Sequence, residues 1–230
     1  MQMRSLLVPS LAALTLAGTT LGAQAASHSS FGLLLGGNSS TFANVDASQD
    51  ALLSGATVKR RTGFQVGAYL NRSLSSRFSI QPELHYIQRG AAFGATNSGS
   101  NADIVINLTY VEIPVLLRVD LGDKDGWRPF LTAGPTAALR IGCDGTTTFG
   151  GTELTVKCDD FGDAGEEDGG IAKTDFGASL GAGIAGKLGR FPAFAQLRFQ
   201  RGLVSLFKDV PSGEDAPKTS MLSLVFGIGR

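Results

Sequence analysis

Eight ionisable side chains carry most of the chemistry this sequence could do: Glu83, His85, Glu112, Arg118, Arg128, Arg140, Lys187 and Arg198. Each falls on the polar side of an alternating segment, so carboxylates and guanidiniums can be brought face to face. Such a set can pair into a buried network, hold a small ligand, or line a narrow pore. Catalysis needs more, a nucleophile with a base and an orienting acid within reach. Only two histidines exist, His28 near the start and His85 alone among polar neighbours, and no G-x-S-x-G is present. The sequence therefore predicts no catalytic residues.

Two cysteines, Cys143 and Cys158, lie in one acidic, glycine-rich stretch that runs on into DDFGDAGEEDGG. In an exported chain such a pair reads as one disulfide closing a loop of about 15 residues. Metal ligation fits poorly, because no histidine is near and the spacing is not CxxC. The acidic run lacks the ordered ligand spacing of a calcium loop. No metal site and no cofactor are expected.

The elements that must position these residues are strands. In LTYVEIPVLLRVDL, residues 108–121, Thr109, Val111, Ile113, Val115, Leu117 and Val119 alternate with Tyr110, Glu112, Pro114, Leu116 and Arg118. A period of two places the sets on opposite faces of a β-strand. One face is apolar; the other carries a carboxylate, a guanidinium and a phenol. About 12 to 14 residues is long for a globular strand but suits a tilted strand crossing a bilayer, which needs roughly 9 to 11. Similar alternation marks Gly63 to Leu74, Arg77 to Arg89, Trp127 to Ile141, Asp175 to Leu188, Phe191 to Phe207 and Ser220 to Gly229, while Ser30 to Gly37 is apolar on both sides. With the apolar face toward lipid, the eight ionisable residues point into a lumen. An eight-stranded barrel is only wide enough for its own side chains to fill, so the expected outcome is a plugging network.

Connections alternate between long (about 38–62, 90–103, 142–174 and 208–219) and short (75–76, 122–126 and 189–190). That rhythm belongs to an up-and-down membrane barrel, with tight periplasmic turns and longer outer loops. It puts both termini at the periplasm. Prolines 82, 114, 129 and 135 each remove a ladder donor and are expected at bulges or near the rims. Tyr86, Tyr110, Trp127, Phe130 and Phe191 are candidates for interfacial girdles.

Composition fits. Glycine is abundant at 31 of 230 residues, charge is only 17%, and acids and bases balance at 20 each, which argues against disorder and gives no field for nucleic acid. Residues 1–25 read as a secretory signal peptide, with Arg4, an apolar run and an A-x-A site ending at Ala25. Residues 26–230 then form one barrel domain, and no later apolar run is long enough for a spanning helix.

The runs GFQVGAYLNRSLSSRFSIQPELHYIQRGAAF, LTYVEIPVLLRVDL, WRPFLTAGPTAAL, DFGASLGAGIAGKLG and LRFQRGLVSL resemble the PorT-like outer-membrane β-barrel family. They match, in order, its GF-x-x-G, Q-P-E-L-x-Y, Y-x-E-I-P, P-[YF]-L-x-x-G-P, G-x-G-x-G and R-[YF]-x-x-G-L pieces. The resemblance implies an eight-stranded barrel in the outer membrane of a bacterium with two membranes. It implies no uniform activity: some relatives are associated with a secretion machinery and most have no assigned role. The ending LVFGIGR departs from the terminal aromatic usual in such barrels. The sequence thus points to an all-β, eight-stranded antiparallel up-and-down transmembrane β-barrel. Its expected partners are outer-membrane lipid and envelope or secretion-machinery proteins, its expected state a monomer, and its role structural or interactive. A soluble exported carrier of a small apolar ligand, like a lipocalin, would invert the two faces; a lipid-modifying enzyme is the third reading.

Overall fold

The computed structural model describes residues 29–43, 57–97, 100–122, 126–149, 152–157, 172–205 and 217–230. The expected signal peptide lies outside them. Nine strands are described: β1 (Ser29–Ala43), β2 (Thr57–Ser73), β3 (Phe78–Asn97), β4 (Ser100–Asp120), β5 (Arg128–Phe149), β6 (Thr152–Lys157), β7 (Thr174–Leu188), β8 (Phe191–Gly202) and β9 (Lys218–Gly229). All pairings are antiparallel between neighbours in sequence, except that β5 also pairs β7 past β6, and β1 pairs β9 to close the ring. Eight strands form a closed up-and-down barrel. The ninth, β6, is a short flap on the outer extension of β5, from Asp144↔Lys157 to Phe149↔Thr152.

The faces follow the sequence period. Leu33 (67% exposed), Leu180 and Leu197 point outward, while Glu83, Glu112 and Arg198 are buried within. Apolar outside and ionic inside is the polarity of a barrel in lipid; a carrier with an apolar cavity would be the reverse. Among the described residues no helix is long and apolar enough to cross a membrane.

Three expectations need correction. First, the segment 90–103, read as a long loop, is largely strand, and β5 extends well into the segment 142–174. β3 and β4 stay paired out to Asn97↔Ser100, and β5 runs to Phe149. At 20 to 22 residues these strands are about twice what a bilayer requires, so they project as a sheet beyond it. Phe42, Phe93, Ile87, Leu108 and Met221 pack together inside the lumen and stabilise this end.

Second, the prolines are not at bulges. The ladders skip the positions between Tyr69↔Glu83 and Arg72↔Ile80, between Pro82↔Val115 and His85↔Glu112, and between Pro114↔Thr136 and Leu117↔Ala133. Pro82, Pro114 and Pro135 fall in these gaps, on three neighbouring strands, and the register continues unshifted across each. Beside the first gap Asn71 Nδ2 donates to Gln81 Oε1 and Ser79 Oγ. The actual register shifts lie elsewhere, between Arg60 and Gln65 and between Thr109 and Tyr110. Pro129 pairs with Ile184 close to the start of β5.

Third, the girdle splits. Tyr86, Trp127 and Phe191 face outward, but Tyr110 and Phe130 are buried in the lumen. At the short-turn end, β7 and β8 are joined by Gly189 and Arg190, and Gly189 takes a φ of 64° that an ordinary side chain would resist.

Candidate functional site

Around the ring, β3 and β8 are diametrically opposed. Their alternation aims Glu83 and Arg198 at each other across the full width of the lumen. Arg198 Nη1 donates to Glu83 Oε2 at 2.6 Å and Nη2 to Oε1 at 2.8 Å, a bidentate pair. Gln81 Nε2 donates to Glu83 Oε1 at 2.7 Å, and His85 Nε2 lies 2.7 Å from Oε2. Arg198 also reaches Gln196 Oε1, and Gln196 Nε2 donates to Thr132 Oγ1 on β5.

A second centre lies toward the projecting end. Arg89 on β3 pairs with Glu112 on β4 and reaches Asp175 Oδ2 on β7 at 3.3 Å. Gln200 Nε2 donates to Glu112 Oε2 at 2.7 Å and to Thr136 Oγ1 at 3.2 Å; Thr219 Oγ1 donates to Asp175 Oδ2 at 2.9 Å. The Arg89 guanidinium also sits 5.2 Å from the Tyr110 ring centre, within cation–π range.

Below the Glu83 centre, the Tyr69, Phe194 and Phe130 rings pack edge to face at 5.3 and 5.8 Å. Arg118 lies 3.8 Å over Phe130 and turns its Nε and Nη2 to Asp120 Oδ1 at 3.1 and 2.9 Å. Arg128 Nε is 3.5 Å from Asp120 Oδ2. Along the barrel axis the order is therefore an aromatic plug, two ionic layers, and an apolar plug.

Of the eight sequence-derived residues, Glu83, His85 and Arg198 form one centre and Glu112 belongs to the other. Arg118 and Arg128 share Asp120 near the short turns instead of joining either, and Arg140 is half-buried on β5 with its backbone N–H bonded to the Lys173 carbonyl. Lys187 must be corrected: it is exposed, because β7 runs past the lumen there into its tight turn. Cys143 is buried on the inner face of β5, and Cys158 lies outside the described residues.

Arg89, Asp175, Gln81, Gln196 and Gln200 are central but are not among the sequence-derived candidates: Arg89 and Asp175 stand at the ends of their predicted segments, and the three glutamines are uncharged. The signal was the same two-residue period: Arg89 continues the face of Glu83 and His85, and Gln196 and Gln200 flank Arg198. Among the described residues no cluster of three or more metal-ligating side chains exists. Within the two centres Glu83 pairs with Arg198, and Glu112 and Asp175 with Arg89.

A closed antiparallel barrel with lipid-compatible walls and an ionic interior defines a bacterial outer-membrane β-barrel protein. The chain belongs to the family of the outer membrane protein beta-barrel domain, whose sequence profile matches residues 22–208. No curated protein matches it. Solved structures similar to it include neisserial surface protein A (NspA), at 9% identity over 87% of this chain and 98% of that one, TM-score 0.43. OprG from Pseudomonas aeruginosa matches at 11% identity over 87% and 93%, TM-score 0.44. Ail, the attachment invasion locus protein of Yersinia pestis, matches at 10% identity over 88% and 99%, TM-score 0.38.

Proposed function

We propose that this protein is a non-conducting, monomeric outer-membrane barrel of the PorT-like kind, with a structural or interaction role in the cell envelope. The observation that carries the reading is the Glu83–Arg198 pair, which bridges opposite walls of the lumen and is enclosed by further hydrogen-bonded layers. Support comes also from the apolar side chains packed in the lumen on either side of the ionic layers, Phe42, Phe93 and Leu108 toward one end and Tyr69, Phe130 and Phe194 toward the other. The short turns and both termini face the periplasm, and the projecting hairpins face outward, where envelope or secretion-machinery proteins would meet them. No enzymatic activity is assigned, since His85 is committed to Glu83 inside the wall and both side chains are almost wholly buried.

Planar-bilayer recording tests the plug. Replacing Glu112 with Ala is expected to lower stability while the membrane stays electrically silent. A large rise in unitary current would instead favour a gated pore and overturn the reading.

We also assign Cys143 and Cys158 to one disulfide. The β5–β6 ladder puts Asp144 opposite Lys157, and the cysteines are the residues that precede and follow these in the sequence. Non-reducing gels after alkylation should find no free thiol; two alkylated cysteines in protein taken from the outer membrane would remove the assignment.

A further inference from the structure

At the short-turn end of the barrel, β2, β1, β9 and β8 leave a groove of about 450 Å3. Its floor is the paired backbone of Gly32 and Gly229 on the β1–β9 ladder, and Ala68 is the small outward neighbour of Leu33. Tyr69 closes the floor from within. A Cβ on Gly32 would strike the Ile228 carbonyl and the Tyr69 ring, and one on Gly229 the Phe31 carbonyl and the Tyr69 hydroxyl. Phe31, Leu33, Phe191 and Ile228 supply apolar walls. The volume falls in the range of about 300–1,000 Å3 typical of small-molecule sites.

The mouth has the opposite character. Arg230 lines it, held by backbone hydrogen bonds with Phe31 of 3.1 and 2.8 Å. The Arg190 guanidinium lies 5.0 Å over the Phe191 ring. Arg72 is level with Ser29 at the same end. All three arginines are exposed, and β1, β2, β8 and β9 contain no Asp or Glu at all. An apolar slot with a cationic mouth suits an amphiphile with an anionic head and a hydrocarbon tail.

We propose that this groove holds one anionic phospholipid of the leaflet at the short turns, its acyl chain against Phe31, Leu33 and Ile228 and its phosphate between Arg190 and Arg230. A flat stretch of barrel wall would be covered by exchanging lipid of any headgroup. Here an apolar groove with arginines at its mouth selects one class. The assignment stands whether or not the lumen conducts.

Native mass spectrometry of the full barrel, reconstituted with equal phosphatidylglycerol and phosphatidylcholine, tests it. The expected result is one retained phosphatidylglycerol, with phosphatidylcholine largely lost. Arg190→Gln with Arg230→Gln should reduce that preference on the order of tenfold, the scale for two basic side chains at a lipid surface. Ala68→Trp, which alters only a lipid-facing side chain, should block the groove and remove the bound lipid while the heat-dependent gel shift of the folded barrel persists. Equal retention of both lipids by the unaltered protein, or undiminished preference in the double variant, would mean annular lipid only and overturn the site. Should the double variant lose its gel shift, the Ala68→Trp barrel decides: undiminished retention overturns the proposal and loss supports it.

Discussion

The Glu83 and Arg89 centres lie in the same lumen but match their charges differently. Glu83 has one guanidinium to itself, met bidentately, with Gln81 and His85 completing its shell. Arg89 is shared by two carboxylates, Glu112 and Asp175, and the excess negative charge is answered by neutral donors, Gln200 and Thr219. The first arrangement is a strut between opposite walls. The second is a hub joining β3, β4 and β7, and through Gln200 and Thr219 it also ties in β8 and β9. A buried carboxylate deprived of its cation costs far more than one deprived of a neutral donor, so the two centres should fail differently.

The largest effect is expected from Arg89→Met, which strands two buried carboxylates at once. Its loss of stability should reach or exceed the upper end of the ~3–5 kcal/mol seen when one partner of a buried pair is removed. Urea unfolding of the reconstituted barrel, followed by the fluorescence of its single tryptophan, Trp127, provides the readout. Arg198→Met strands only Glu83 and should cost about 3–5 kcal/mol. Equal midpoints for the two variants would erase the distinction between hub and strut. Asp175→Asn leaves Arg89 paired with Glu112 and should cost less, about 1–3 kcal/mol, the range for a disturbed buried hydrogen bond. A drop as large as that of Arg198→Met would show that Asp175, not Glu112, is the principal partner of Arg89.

The difference between the centres also explains what could be read ahead of the structure. Glu83, His85 and Arg198 stand out as lone charges in alternating apolar strands, and any inward-facing charge in a narrow barrel must find a partner. Arg89 stands where β3 was expected to end, and Asp175 where the sixth segment begins. β3 runs on to Asn97, which makes Arg89 a mid-strand residue, whereas Asp175 lies one residue inside the start of β7 and becomes part of the centre only through the strands around it.

Alternation alone determined most of the wall: the outward Val66, Ile113 and Leu180 and the inward Glu112 and Arg198 follow from a period of two, whereas the outward Leu33, in a segment apolar on both sides, does not. Three things came only from the closed structure. Pairing across the lumen depends on which strands end up opposite, so Glu83 with Arg198, 115 positions apart, is invisible to any local pattern. Strand length beyond the membrane depends on whether a hairpin finds partners and an apolar filling, as residues 90–103 did through Ile106, Leu108 and Phe93. Exposure at a rim depends on where the lumen stops, which is why Lys187, correctly phased for the interior, reaches solvent or headgroups instead. Side-chain direction is local and is written in the sequence, whereas partners, extent and depth are set by closing eight strands into a ring.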